Sequence, residues 1–297
     1  MSALLGIDYG GTHTKLLLVD GTDGDGPILA RESVRTAGVD ELGQEVRRFV
    51  ADRPVAQFAM TVAGTFDAGT GVVRRSVNMP WLDGTAPAHR VSEAIDVPGS
   101  AVQDGIATAV GEATLGAGRG AEDVFVIALG TGIAGAHIVG GEVRAGAHGG
   151  AGEVGHIAIA GEHRCSCGQT GCLETWIGGG QLGRRWAEQR GSGAAAVSTA
   201  HEVVLAAEAG DEPAQVVLRN AGQALAKALL QVSAMLDPAV VVVGGGVARS
   251  PQWTVHPAFD TARRDATFHR LPEMRLAELG VWAGAHGAVL AAAHELA

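Results

Sequence analysis

Cysteine is scarce in this 297-residue chain: there are three, and all fall between positions 165 and 172. That excludes a fold stapled by disulfides. No apolar stretch follows a basic region near the N-terminus, and no run reaches the roughly 18 to 20 apolar residues a spanning helix needs. The chain is therefore expected to be cytoplasmic and not associated with a membrane. Cationic residues are also few, with 22 Lys and Arg against 32 Asp and Glu, a formal charge of −10 that repels phosphate backbones and anionic lipid unless basic residues cluster. Nucleic acid is not expected as a partner. No GxxxxGK[ST] loop occurs, so a Walker-type nucleotide site is absent as well.

What is present is apolar content, 46% of residues against 18% charged, enough for a large buried core and most simply for two domains. Glycine is abundant, 45 residues, about twice the average usage of roughly 7%, with no collagen period. Tight turns and close backbone approaches are implied.

Periodicity predicts strands at Ala3–Asp8, Lys15–Asp20 and Ile28–Val34, a helix over Asp40–Ala51 with an aspartate N-cap, and a strand at Gln57–Val62. A helix at Pro87–Ile95, a strand at Ser100–Gln103 and a helix at Gly105–Leu115 follow, with Asp104 at the N-cap position of the last. Val124–Leu129, Ala134–Val139 and Glu142–Arg144 then repeat the opening pattern of strand, glycine turn and strand, so the two halves read as divergent copies. Helices are expected at Glu174–Gln189, Thr199–Ala209, Glu212–Leu236 and Ala285–Leu296, with an apolar strand at Ala239–Val243. The domains are expected at 1–117, joined by the C-terminal helix 284–297, and at 118–283.

Asp8, Gly10, Gly11, Thr12 and Lys15 form a carboxylate, glycine pair, hydroxyl and cation at a strand end, a turn able to show backbone N–H groups to a phosphate with Asp8 placed toward magnesium. An ordinary hairpin turn explains the Gly pair equally well. The second turn, Gly130-Thr131-Gly132, repeats the arrangement. Gly244, Gly245 and Gly246 end the late strand, which suits close approach by a flat ligand such as adenine, or a tight strand-to-helix turn.

His156, Cys165, Cys167 and Cys172 supply one imidazole and three thiols within 17 positions, the donor set of a closed tetrahedral zinc site with a structural role. The competing reading is three inert buried thiols. Glu153 and Glu174 bracket that cluster and could accept hydrogen bonds from sugar hydroxyls, or be solvated surface acids. Asp104 follows Gln103 at a strand end and could be a helix cap or the base for an alcohol.

The segments DYGGTHTK, LGTGIAGA, GEVGH, CSCGQTGCLE and VVVGGG, in this order along essentially the whole chain, resemble the ROK family of sugar kinases and related repressors. GEVGH followed by CSCGQTGCLE is the most specific piece. The resemblance implies an α/β chain with the actin-like ATPase fold, two ribonuclease H-like domains with a cleft between them, and ATP and Mg²⁺ bound there. It implies phosphorylation of a hexose, most simply at the 6-OH of glucose. An N-acetylhexosamine or fructose kinase is the alternative, as is a non-catalytic sugar-sensing regulator.

Carried over by position, Asp104 matches the catalytic base, and His156, Cys165, Cys167 and Cys172 match the Zn²⁺ ligands. Glu153, His156 and Glu174 match sugar contacts, as do Gly64 and Asn78 on two substrate loops, and a homodimer or homotetramer is implied. Gln103 stands where the family has Asn, and Ala63 and Thr65 where it has prolines. The repressors carry a helix-turn-helix ahead of the first strand, whereas here that strand is expected within five residues of Met1, which argues against DNA binding.

Overall fold

The computed structural model describes residues 2–67, 69–76, 79–191 and 198–296. The chain divides into two units, Met1–Gly116 with Leu279–Ala297, and Ala117–Glu278.

In the first unit, β1 (Ala3–Tyr9), β2 (His13–Asp20) and β3 (Ile28–Arg35) form an antiparallel meander. Helix α1 (Val39–Val50) leads into β4 (Val55–Val62), which returns parallel to β1. A small hairpin of β5 (Thr65–Phe66) and β6 (Val73–Arg75) precedes α2 (Pro87–Ile95), β7 (Gly99–Gln103) and α3 (Asp104–Thr114). The sheet order is β3-β2-β1-β4-β7.

In the second unit, β8 (Asp123–Leu129), β9 (Ile133–Val139) and β10 (Glu142–Val143) form another antiparallel meander. Helices α4 (Glu174–Ile177), α5 (Gly179–Gln189), α6 (Ala200–Glu208) and α7 (Glu212–Leu236) precede β11 (Val240–Gly244). Then α8 (His256–Asp265) and β12 (Glu273–Leu276) complete the sheet order β10-β9-β8-β11-β12. The two orders are equivalent, three antiparallel strands followed by two parallel ones, which gives the repeated sequence pattern its structural meaning. Helix α9 (Ala283–Leu296) returns to the first unit.

Alternation along β1 divides its side chains between two cores. Leu5 and Ile7 face α1 and α2 with Leu42, Val46, Phe49 and Val91, while Leu4 faces Ala285, Ala288, Val289 and Ala292 of α9. Gly6 permits that close helix, since a Cβ there would lie 2.1 Å from the Ala285 carbonyl oxygen. In the second unit, α7 buries Val217, Ala221, Leu225 and Leu229 against Ile127, Val241 and Val243. Each fully buried aliphatic side chain contributes about 1.5–3 kcal/mol. No described helix is long and apolar enough to cross a membrane.

Three local expectations are corrected. Helix α1 is capped by Gly38 and not by Asp40, because the Glu41 carboxylate reaches back to accept the Gly38 amide at 3.0 Å. The helix expected over Glu174–Gln189 breaks at Gly178, whose backbone is extended. Asp104 is the first helical residue of α3 and Gln103 is its N-cap, the longer amide oxygen accepting from the Ile106 amide at 2.7 Å.

Candidate functional site

The first turn grows out of the β1–β2 register, which places Asp8 opposite Lys15. Lys15 Nζ lies 2.7 Å from Asp8 Oδ2, each side chain 18% exposed. On the parallel side Asp8 aligns with Thr61, whose hydroxyl donates to Asp8 Oδ1 at 3.0 Å and accepts from the Tyr9 amide. Both carboxylate oxygens are thus engaged, a set that suits hydrogen bonding to a metal-bound water better than direct ligation, which would compete with the Lys15 ammonium. Thr61 carries only a weak signal in the sequence, a lone hydroxyl inside the apolar run Phe58–Val62. Gly11 and Thr12 are exposed at the tip of the turn.

Asp104 is partly buried at the start of α3, with Oδ1 accepting from the Gly105 amide at 2.8 Å. Burial, aided by the nearby negative charge of Asp8, pushes its carboxyl above the usual carboxylate range. Gln103 is committed through its amide oxygen to the helix cap. Gly64 has φ +119 and a Cβ on it would meet the Arg75 carbonyl oxygen at 2.3 Å, so the β5–β6 hairpin itself demands glycine there. Asn78 lies outside the described residues.

In the second unit the side chains of His156, Cys165, Cys167 and Cys172 converge, their ligand atoms all within 4.8 Å of one another. His156 Nδ1 lies 3.6 Å from Cys165 Sγ, and Cys167 Sγ lies 3.7 Å from Cys172 Sγ. A tetrahedral zinc with Zn–S near 2.3 Å and Zn–N near 2.0–2.1 Å holds two sulfurs roughly 3.8 Å apart and a sulfur and nitrogen about 3.6 Å apart. The donor set therefore fits the ion in kind, number and spacing. Burial pushes the Cys172 thiol up to about 12, while the Gln169 amide draws the Cys167 thiol down. A thiol as reluctant as Cys172 becomes a ligand by surrendering its proton as the metal binds. Bridges Ala158↔Cys172 and Arg164↔Thr170, with the Trp176 indole N–H donating to the Ala160 carbonyl, hold the loop around the cluster.

Glu174 joins this cluster to the second turn. Its Oε2 accepts from the Ile133 amide at 3.1 Å, and its Oε1 lies 3.5 Å from Ser166 Oγ and 3.9 Å from Cys165 Sγ. Glu153, by contrast, is exposed. The break at Gly178 sets the N-terminus of α5 on the same turn, with the Gly179 amide donating to the Gly130 carbonyl at 2.8 Å. Gly130, Thr131 and Gly132 thus sit beside the N-terminus of α5, whose polarity favours anions. Of the late glycines, Gly244 and Gly245 have packing reasons: a Cβ would meet Ala277 Cβ and the Leu129 backbone, each at 2.4 Å, and Gly245 has φ +95. Gly246 has open space, so packing does not account for it.

Residues 4–295 match the ROK family. A glucokinase of Halalkalibacterium halodurans is 32% identical over 242 residues, 75% of this chain and 72% of that protein. The ROK hexokinase from Thermus thermophilus superposes with a TM-score of 0.87 at 29% identity, covering 99% of each chain. A ROK family glucokinase from Streptomyces griseus, in complex with glucose and AMPPNP, superposes with a TM-score of 0.81 at 28% identity over 99% of this chain and 100% of that one. With the repeated sheet order, the cluster of one histidine and three cysteines and a match over nearly the full length, the chain belongs to the ROK family and has its two-domain, actin-like α/β fold.

Proposed function

We propose that the protein is an ATP-dependent sugar kinase that transfers the γ-phosphate to a hexose hydroxyl, first of all the 6-OH of glucose. The observation that carries this reading is Asp104, a carboxylate at a strand-to-helix junction whose proton affinity is raised by burial, which brings a general base nearer to working pH. The similarity to a glucokinase and to a structure holding glucose and an ATP analogue supports the substrate pair.

In this mechanism Oδ1 of Asp104 stays with the Gly105 amide and the other oxygen takes the hydroxyl proton as the sugar oxygen attacks phosphorus and the bond to ADP breaks. The turns Gly10–Thr12 and Gly130–Gly132 meet the phosphates through amides other than those of Gly10 and Gly130, which donate to the Asp8 and Gly132 carbonyls, and Gly244–Gly246 lie along the nucleotide. Asp8 would hold magnesium through a metal-bound water, with Lys15 fixing the carboxylate, and the ion would supply charge neutralisation for the transferred phosphate. Glu153, His156 and Glu174 accept or donate to sugar hydroxyls, with Gly64 and Asn78 on the loops that meet the sugar. His156, Cys165, Cys167 and Cys172 hold zinc, which four protein ligands leave without an open position, so its work is to organise the loop. The enzyme is proposed to be cytoplasmic and a homodimer or homotetramer.

An ADP-release assay over glucose, fructose, mannose and N-acetylhexosamines, with ATP or polyphosphate, tests the reading. Release with glucose supports it, preference for an N-acetylhexosamine or fructose selects the alternative kinase, and sugar binding without release selects a sensor.

A further inference from the structure

The first unit contains a cavity of about 950 Å³ that shares only Gly11 and Thr12 of its lining with the roles proposed above. This is at the upper end of the range that holds drug-sized ligands and leaves room for more than a single hexose. It is lined by Gly11 and Thr12, the end of β3, the start of α1 and the first turns of α2. Gly11 also sits against Met79: a Cβ on it would lie 3.7 Å from the Met79 Cγ.

The lining has a definite chemistry. Trp81 is 50% exposed, an unusual state for so large an apolar ring, and it faces the cavity. The Tyr9 hydroxyl beside it donates to the Ala37 carbonyl at 2.7 Å. A half-exposed indole offers an apolar face to a ligand, with a polar N–H at its edge. Around it stand two guanidiniums, Arg35 and Arg90, and two carboxylates, Asp40 and Glu93. Arg90 lies 3.5 Å from Glu93. Opposite charges in equal number favour a neutral ligand rich in hydroxyls over a phosphate chain, since each hydroxyl can both donate and accept.

We propose that this cavity is a second carbohydrate subsite, in which Trp81 carries the ring of a glycosidically linked sugar, so that the protein binds disaccharides. The proposal rests on the sugar-kinase reading for the location of the first ring, but binding is measurable without turnover.

Calorimetric titration of the full-length protein with maltose, cellobiose, trehalose, sucrose and their component monosaccharides, beside the ADP-release panel, provides the test. At least one disaccharide is expected to bind more tightly than its components. Trp81→Ala should weaken that binding about fivefold. Trp81→Phe should largely preserve it, and glucose affinity should move less than about twofold in both. Arg90→Ala, a change on an exposed helix face, should also weaken the disaccharide and decides the matter if Trp81→Ala does not fold. The proposal is overturned if no disaccharide outbinds its components, if both variants leave disaccharide binding unchanged, or if tripolyphosphate is the ligand lost in Arg90→Ala. Trp81-dependent disaccharide binding without ADP release from any sugar would remove the kinase reading and leave the subsite standing; ADP release from glucose with no disaccharide bound would do the reverse.

Discussion

The Ile133 backbone amide donates to the Glu174 carboxylate at 3.1 Å, across 41 residues of chain. Through this bond the second glycine turn is attached to the segment that carries Cys172, two residues before Glu174. The thiol cluster and the turn proposed for phosphate therefore share one structural support.

Zinc removal should accordingly affect more than the loop. Metal analysis of purified protein is expected to give one zinc per chain. Chelation should weaken glucose binding most and AMPPNP binding measurably, because Glu174 loses its fixed position. Glu174→Gln should keep the zinc. A well-folded, active protein with clearly substoichiometric zinc would refute the assignment.

Asp104→Asn should separate chemistry from stability. General-base catalysis is worth about 10²- to 10⁴-fold, so kcat should fall at least about a hundredfold with zinc content unchanged. A carboxyl whose proton is held more tightly in the folded than in the unfolded chain stabilises below the ordinary carboxylate pKa, and that stability is lost as pH rises through the folded value. Near neutral pH the ionised Asp104 is thus a cost, and the variant should melt at or above the wild-type Tm there, with the advantage vanishing in acid. Wild-type kcat/KM should lose activity on the acid side at a pH above that of an ordinary aspartate. A kcat above about a tenth of wild type, with chemistry rate-limiting, would return Asp104 to a structural role.

Lys15→Met removes the cation beside Asp8. Leaving that partly buried carboxylate without its ion-pair partner should cost about 1–3 kcal/mol in urea unfolding. The unbalanced Asp8 charge raises the Asp104 carboxyl further, so the acid limb of kcat/KM should move to higher pH. A profile superimposable on wild type would show that Asp8 does not act on the base.

Gln103 caps α3, and Gln103→Ala should lower stability by about 1 kcal/mol. Gln103→Asn offers a favoured capping residue and should keep the melting temperature, while the shorter amide shifts the ratio of kcat/KM among hexoses. An unchanged ratio across the sugar panel would restrict Gln103 to its cap.

Two neighbouring glycines should behave oppositely. Gly245→Ala meets the Leu129 backbone at a positive φ and should destabilise by at least about 1–3 kcal/mol. Gly246→Ala meets nothing within 4 Å and should stay within about 0.5 kcal/mol in stability, yet weaken AMPPNP binding if the nucleotide lies against it. Equal nucleotide affinity in Gly246→Ala would place the ligand elsewhere.

Most of the elements and the donor cluster were legible in the sequence. Helices at Pro87–Ile95 and Glu212–Leu236 lie where periodicity put them, and the second meander repeats the first, because these patterns are written over neighbouring residues. His156 and the three cysteines were legible for the same reason: a zinc ligand set is recognised by residue type and short spacing. Helix α8 and strand β12 were missed, since an amphipathic helix ending in Arg263 and Arg264 and a four-residue strand carry weak local signals. Tertiary structure alone decided which atoms meet. The break at Gly178, the Asp8–Lys15 pair with Thr61 beside it, and the Trp81 wall of the cavity depend on strand register and on segments far apart in sequence. Capping at Gln103 depended on side-chain reach, which residue preference does not contain. Local propensity specifies a residue's own conformation, but a hydrogen bond or charge pair also needs a partner whose position is known only when the packed chain has fixed it.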